Sequence, residues 1–253
     1  LKNFIVLVPE QFTMQTQKDL VSMHPRHGIM NIDVLSFARL AYRVFEETGT
    51  KQMQVLDDEG KNLILRKIAG DYENKLTVLK GNIKKLGYIS EVKSVISEFT
   101  QYDIGEEEMD EMLDHLDEDS RLYYKLKDIR LLYEGFQDYL RERYITKEEL
   151  LDVLNSQVKE SELLKNSVVV LDGFTGFTPV QNRLILELMR CCKEVWVTVT
   201  MDERENPYAY KHPYQLFGLS KQMVTTLVRM AGEDHIEVEE PVCLYGYPVK
   251  RFE

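Results

Sequence analysis

The sequence predicts an α/β fold in which a parallel sheet is interrupted by a large all-helical insertion. Short apolar runs rich in β-branched residues lie near both ends of the chain, at Phe4–Val8, Ile32–Leu35, Val168–Leu171 and Val195–Met201. Strands covered on both faces of a parallel sheet read as such continuous runs. From about residue 51 to 165 no run of this kind appears, and apolar residues recur every three or four positions instead.

Each element follows from its own residues. Phe4–Val8 is stopped by Pro9, and the polar stretch from Gln11 to Ser22 suits a helix behind it. Ile32–Leu35 is followed by Phe37, Leu40, Ala41, Val44 and Phe45 at helical spacing. Two successive strand-then-helix units imply parallel pairing through crossovers. In the middle, Val92, Val95, Ile96 and Phe99 form one helix stripe, and Leu122, Leu126, Ile129, Tyr133, Phe136 and Leu140 form a longer one. Thr146 and Glu149 have capping-box spacing and start a further helix. The sheet then resumes, with the helix-patterned Val180–Cys192 between its last two strands. A final helix is predicted near Pro213–Ala231 and a strand over Ile236–Tyr245. Residues 1–50 and 166–253 are thus expected to form one domain, with residues 51–165 inserted as a helical subdomain.

Composition narrows the function. The chain has 253 residues, 43% of them hydrophobic, enough to build one large core or two small ones. A net charge of −11 argues against wrapping nucleic acid with the whole surface but leaves room for a local basic groove. The adjacent Cys191 and Cys192, with Cys243, offer no metal spacing and no disulfide framework, which fits core thiols in a reducing cytoplasm. No apolar run approaches membrane-spanning length and no signal peptide is visible. The chain starts at Leu1 and enters a strand almost at once, which suggests a segment excised from a longer polypeptide.

Two charged stretches admit two readings each. Asp103–Asp119 holds ten acidic residues and no Lys or Arg. It could mimic DNA or collect divalent cations, but Met109, Met112, Leu113 and Leu116 point to an ordinary helix with one inward face and solvated carboxylates. Lys75, Lys80, Lys84, Lys85 and Lys93 could follow a phosphate backbone or could simply keep the surface soluble.

The most informative segment is Ser167–Gln181. A β-branched run ending in one aspartate is how a parallel strand delivers a carboxylate to the sheet edge where phosphates and magnesium bind. Asp172 and Gln181 stand at the spacings of the metal-holding Asp and the closing Gln of UvrD-type helicases, and that resemblance implies that they are remnants of a nucleotide and metal site, against the plainer reading of Asp172–Gly173 as a turn. Nucleotide hydrolases of the phosphate-loop type hold the metal with that Asp, and helicases of the UvrD type follow it with a catalytic Glu. Gly173 takes that place here and can neither accept a proton nor orient a water. No Gly-x-x-x-x-Gly-Lys-Ser/Thr occurs in the chain.

Val8-Pro-Glu-Gln11, Asp33-Val-Leu-Ser-Phe37 and Leu171-Asp-Gly-Phe-Thr-Gly-Phe-Thr-Pro-Val-Gln181 resemble the N-terminal region of the AddB/RexB family, the B component of bacterial ATP-dependent helicase-nucleases. The resemblance covers essentially the whole chain. It implies a RecA-like first helicase domain of P-loop hydrolase type, here without its phosphate loop. It places Gln11, Ser36, Phe37 and Arg43 near DNA, with no catalytic residue and no metal ligand in this segment. The first DNA-contacting segment lacks its usual Asn-Lys pair, and Asp202–Asn206 offers no equivalent of the phosphate-sensing Gln. ATP with Mg and an iron-sulfur cluster would belong to the full-length subunit. The implied partners are an AddA-type helicase-nuclease subunit and single- and double-stranded DNA, in double-strand-break processing for recombinational repair in the bacterial cytoplasm. The domain would scaffold and guide DNA without hydrolysis. Two alternatives stand beside this: a truncated active nucleotide hydrolase, and an α/β interaction module that never meets DNA.

Overall fold

A computed structural model describes residues 3–50, 54–83, 85–141, 144–202 and 204–244 of the chain. Four strands, β1 (Asn3–Leu7), β2 (Ile32–Leu35), β5 (Ser167–Leu171) and β6 (Glu194–Val197), form one sheet in the order β2-β1-β5-β6. All pairings are parallel: Phe4 lies opposite both Ile32 and Val168, and Val169 lies opposite Val195. Side chains alternate between the faces. Ile5, Leu7, Val169 and Leu171 point to one face and are buried there against α2 (Phe37–Thr48), α7 (Leu150–Gln157) and α9 (Pro179–Cys191). On the opposite face Phe4 and Trp196 stay partly exposed. The helix α1 (Thr13–Met23), entered through a short 3-10 turn at Glu10–Phe12, connects β1 to β2.

Helix starts follow local chemistry. Ser36 caps α2 by accepting the Arg39 backbone N–H at 3.4 Å, and Thr178 and Gln181 close a reciprocal capping box at the start of α9, with Pro179 in the first turn. The box expected at Thr146 and Glu149 is also formed, its two bonds 2.7 and 3.3 Å long.

Between β2 and β5 the chain builds α3 (Asp58–Asp71), α4 (Leu86–Gln101), α5 (Glu106–Asp114) and α6 (Arg121–Leu140) around a second cluster of buried residues that includes Leu65, Leu79, Met109, Leu132 and Phe136. Gly135 lets α6 approach α3: a Cβ there would lie 2.7 Å from the Tyr72 ring and 2.9 Å from Ile68. The acidic segment is an amphipathic helix, but only Met109 of its apolar residues is fully buried; Met112 remains 39% exposed.

The insertion is not all-helical. Gln54–Val55 (β3) and Tyr144–Ile145 (β4) form a two-residue parallel ladder. Leu56 extends it by donating its backbone N–H to the Ile145 carbonyl at 2.8 Å. Two residues per strand are too few for alternation to register in sequence, so only tertiary closure reveals the pair. The expected strand at Ile236–Tyr245 is also absent: residues 236–244 adopt no regular element, and residue 245 lies outside the described residues. That stretch alternates Ile and Val with Glu, keeps Val238 and Val242 exposed, and contains Pro241, which donates no ladder bond. The last helix, α10 (Gly218–Glu233), starts later than Pro213, and β6 ends at Val197 rather than Met201. The remaining short helix, α8 (Glu162–Lys165), leads into β5.

Buried charges tie these parts together. Lys61 on α3 is 2% exposed and reaches Glu148, just before α7, at 2.7 Å and the Ser97 hydroxyl on α4 at 3.3 Å. Burial alone would raise the Glu148 carboxyl, but the hydrogen bond and charge of Lys61 outweigh it and hold the group below its ordinary value. The buried Asp128 carboxylate receives the backbone N–H groups of Thr77, Val78 and Leu79 at 2.8–3.1 Å, fixing the loop between α3 and α4.

Breaking the Lys61–Glu148 pair from one side leaves a buried charge alone. Lys61→Met is therefore expected to cost about 3 kcal/mol in urea unfolding, and Lys61→Met/Glu148→Leu to recover most of that loss. Because the folded Glu148 value is depressed, the contribution of the pair is full above the ordinary carboxylate range and fades as pH falls through the folded value. A double variant as unstable as the single one would show that the charge pair is not what Lys61 contributes.

Candidate functional site

Because all four strands are parallel, their carboxyl ends meet along one edge, where folds of this class place their sites. The ladder runs slightly past the strands. Val8 donates to the Leu35 carbonyl at 3.0 Å, Asp172 to Leu7 at 2.9 Å and Thr198 to Leu171 at 2.9 Å. The segments Val8–Phe12, Ser36–Phe37, Asp172–Thr178 and the chain from Thr198 onward are therefore neighbours.

Asp172 is half-buried, and its carboxylate accepts the hydroxyl of Thr198 from the adjacent strand end at 2.5 Å. Gly173 has φ +76°, a left-handed conformation open to glycine and strained for a residue with a Cβ. Gln181 uses its side-chain oxygen to accept the Thr178 N–H at 3.0 Å, which gives it a helix-capping task. At the end of β5 the Asp172 carboxylate is thus already bonded to a hydroxyl of the neighbouring strand end.

The residues placed near DNA by resemblance divide. Ser36 is buried and its hydroxyl caps α2. Phe37 is 7% exposed, its ring 5.5 Å from Phe174 and 6.5 Å, edge to face, from Phe177. Phe174 and Phe177 lie 5.1 Å apart, so the three rings make one cluster under the loop after β5. A base can reach Phe37 only if that loop moves. Gln11 is exposed at the edge, next to Phe12, itself 49% exposed. Arg43 is exposed but lies about 9 Å along α2 from Phe37, where it pairs with Asp33 at 3.7 Å. Arg39, exposed in the first turn of α2, is the cation closest to the edge on that helix, and sequence reading passed over it. Its position one turn after a Ser N-cap was the available signal.

The cysteines do not converge with other ligands. Among the described residues no group of three or more His, Cys, Asp or Glu side chains could hold a metal ion. Burial pushes the Cys192 thiol up to about 12 and also raises Cys191, so both stay protonated at neutral pH and are poor thiolate ligands. Among the described residues no helix is long and apolar enough to cross a membrane.

The family described as "ADDB, N-terminal" matches residues 1–253. A protein of Lachnoclostridium phytofermentans is 45% identical over 240 residues, covering 94% of this chain and 21% of the relative. A protein of Clostridium kluyveri is 36% identical over 251 residues, covering 99% and 22%. One of Alkaliphilus oremlandii is 34% identical over 267 residues, covering 98% and 23%. All three carry the name of the second, or B-type, component of an ATP-dependent helicase/deoxyribonuclease. The chain spans about a fifth of the length of these curated relatives.

The left-handed backbone at Gly173 sets a measurable cost. Gly173→Ala and Gly173→Glu are each expected to destabilise the fold by about 1–2 kcal/mol in urea unfolding, since both place a Cβ in that conformation. A neutral or stabilising effect of Gly173→Glu would mean that the turn relaxes readily to accept a carboxylate after Asp172.

Proposed function

We propose, since this chain belongs to the AddB N-terminal family, that it is a RecA-like helicase domain without hydrolytic capacity, which scaffolds a helicase-nuclease partner of AddA type and guides DNA during double-strand-break processing. Residues 1–50 and 166–253 make the RecA-like body in this reading, and residues 51–165 the inserted helical subdomain. Two clusters of buried apolar side chains support a division of this kind: the second draws on Leu56 to Leu140, while Ile145, Leu150, Leu154, Val158 and Leu164 pack with the sheet, which puts the end of the insertion near residue 144 and α7 with the body. ATP with Mg, and any iron-sulfur cluster, bind elsewhere in the full-length enzyme, which works in the bacterial cytoplasm.

The observation that carries the reading is the pair Asp172–Gly173. The carboxylate sits at the carboxyl end of a central parallel strand, where a metal-holding Asp belongs, and it is followed by a glycine in a left-handed turn instead of a residue that could activate water. Gln11 and Phe12, with Arg39 and then Arg43 along α2, supply the polar, aromatic and cationic groups with which single strands are held. Phe37 supports this surface from below through Phe174 and Phe177. The burial of Phe37 and the net charge of −11 favour one second reading, a scaffold that makes no DNA contact.

Two measurements separate these. The chain is expected to show no ATP turnover above background; turnover that disappears in Asp172→Ala would overturn the non-hydrolysing assignment. In the full two-subunit enzyme, Arg39→Glu and Arg43→Glu are each expected to weaken single-stranded DNA binding and to reduce its salt slope by about one contact. Equal affinity and equal slope for both variants would remove α2 from the DNA path and favour the pure scaffold.

A further inference from the structure

The insertion carries an open groove of about 760 Å³ between α4, α5 and α6 that neither hydrophobic cluster fills. Its floor is apolar, built from Val95 and Phe99 of α4 and Leu126 and Ile129 of α6. Three large apolar side chains at its margin stay in water: Tyr102 at 57% exposure, Met112 at 39% and Leu122 at 58%. A contiguous apolar patch of this kind, rimmed by polar groups, marks an interaction surface.

The rim is mainly acidic. Asp103, Glu108 and Glu111 line the groove against a single lysine, Lys125. Some carboxylates of the segment are already engaged: Asp103 by Arg183, Asp110 and Glu106 by Arg130, and Glu108 by the Gly105 N–H. Among the described residues no ion pair reaches Glu108 or Glu111, so these two carboxylates of the wall are open to cations from outside. Phosphate-bearing ligands are repelled by it, and a second copy of a chain with net charge −11 is a poor match. The walls are helices, which offer no free strand edge, so an incoming segment engages through side chains at helical spacing.

We infer that this groove docks a cationic amphipathic helix of a partner polypeptide, with apolar residues at i, i+3 or i+4 and i+7 on the floor and Lys or Arg against Glu108 and Glu111. The inference rests on the subunit role proposed above and adds the place and chemistry of contact. Its test uses the full-length subunit together with its partner subunit, with a photo-reactive benzophenone side chain at Leu122, an exposed position whose replacement leaves the core intact. The expected cross-link is to a partner peptide with an apolar stripe and flanking Lys or Arg. Leu122→Glu, and separately Glu111→Lys, should each weaken subunit association roughly tenfold, with the thermal unfolding of the subunit unchanged. Cross-linking only to the subunit's own chain, to a second copy or to DNA, no cross-link, or unaltered association would overturn the groove assignment while leaving the subunit role standing. Failure of the two wild-type subunits to associate at all would overturn both.

Discussion

The parallel pairing of Asn3–Leu7 with Ser167–Leu171 is the constraint on which the rest of this structure depends. It joins strands far apart in the sequence and fixes their direction, and so it decides that Val8, Asp172 and their following loops emerge side by side. The flanking strands β2 and β6 simply extend it on either side. Were the register shifted by one residue, Ile5 and Leu7 would exchange faces with Phe4 and Val6, and the core packed against α2, α7 and α9 would be lost. The four strands can tolerate a long insertion because loop-closure entropy rises only slowly with length. The two-residue β3–β4 ladder and the Lys61–Glu148 pair then hold the insertion where it leaves and rejoins the body.

The polar interior follows one pattern. Charges are buried only where an element must be held in one place: Lys61 and Glu148 at the root of the insertion, Asp128 under the loop at Thr77–Leu79, and Lys221 of α10 against Glu205. Each has its partner, which meets the cost of removing a charge from water. The sheet core itself is apolar, so the carboxyl edge rests on a rigid base. At that edge Asp172 is followed by Gly173 in a left-handed conformation.

How much of this was legible in the sequence depends on length and burial. The strands were visible because β-branched runs such as Val168–Leu171 have no competing helical period, and their parallel arrangement followed from the alternation with helices. The β3–β4 pair was invisible, since Gln54–Val55 and Tyr144–Ile145 are too short to show a period and pair only through tertiary closure. The strand expected at Ile236–Tyr245 misled because alternation persists over residues 236–244, which pair with no strand among the described residues. At the site, Asp172 and Gly173 were readable as a pair, but the left-handed turn was not. Gln181 carried two signals at once, a motif position and the fourth residue of a Thr-x-x-Gln capping box, and the capping bond is the one formed. Phe37 could be read as a DNA contact or as core, and the Phe174–Phe177 cluster that buries it comes from a segment remote in sequence. Met112 and Leu116 looked like inward residues of an amphipathic helix, yet they line an open groove, because periodicity reveals that a face is apolar and not what covers it.

Native-state hydrogen exchange of the backbone amides in β1 and β5 bears most directly on the ladder that organises the molecule. If Asn3–Leu7 and Ser167–Leu171 are one cooperative unit, their bonded amides exchange together, through the opening of highest free energy in the chain. Exchange of the β5 amides through a separate, lower-energy opening while β1 stays protected would contradict that account, and with it the common edge from which the functional reading starts.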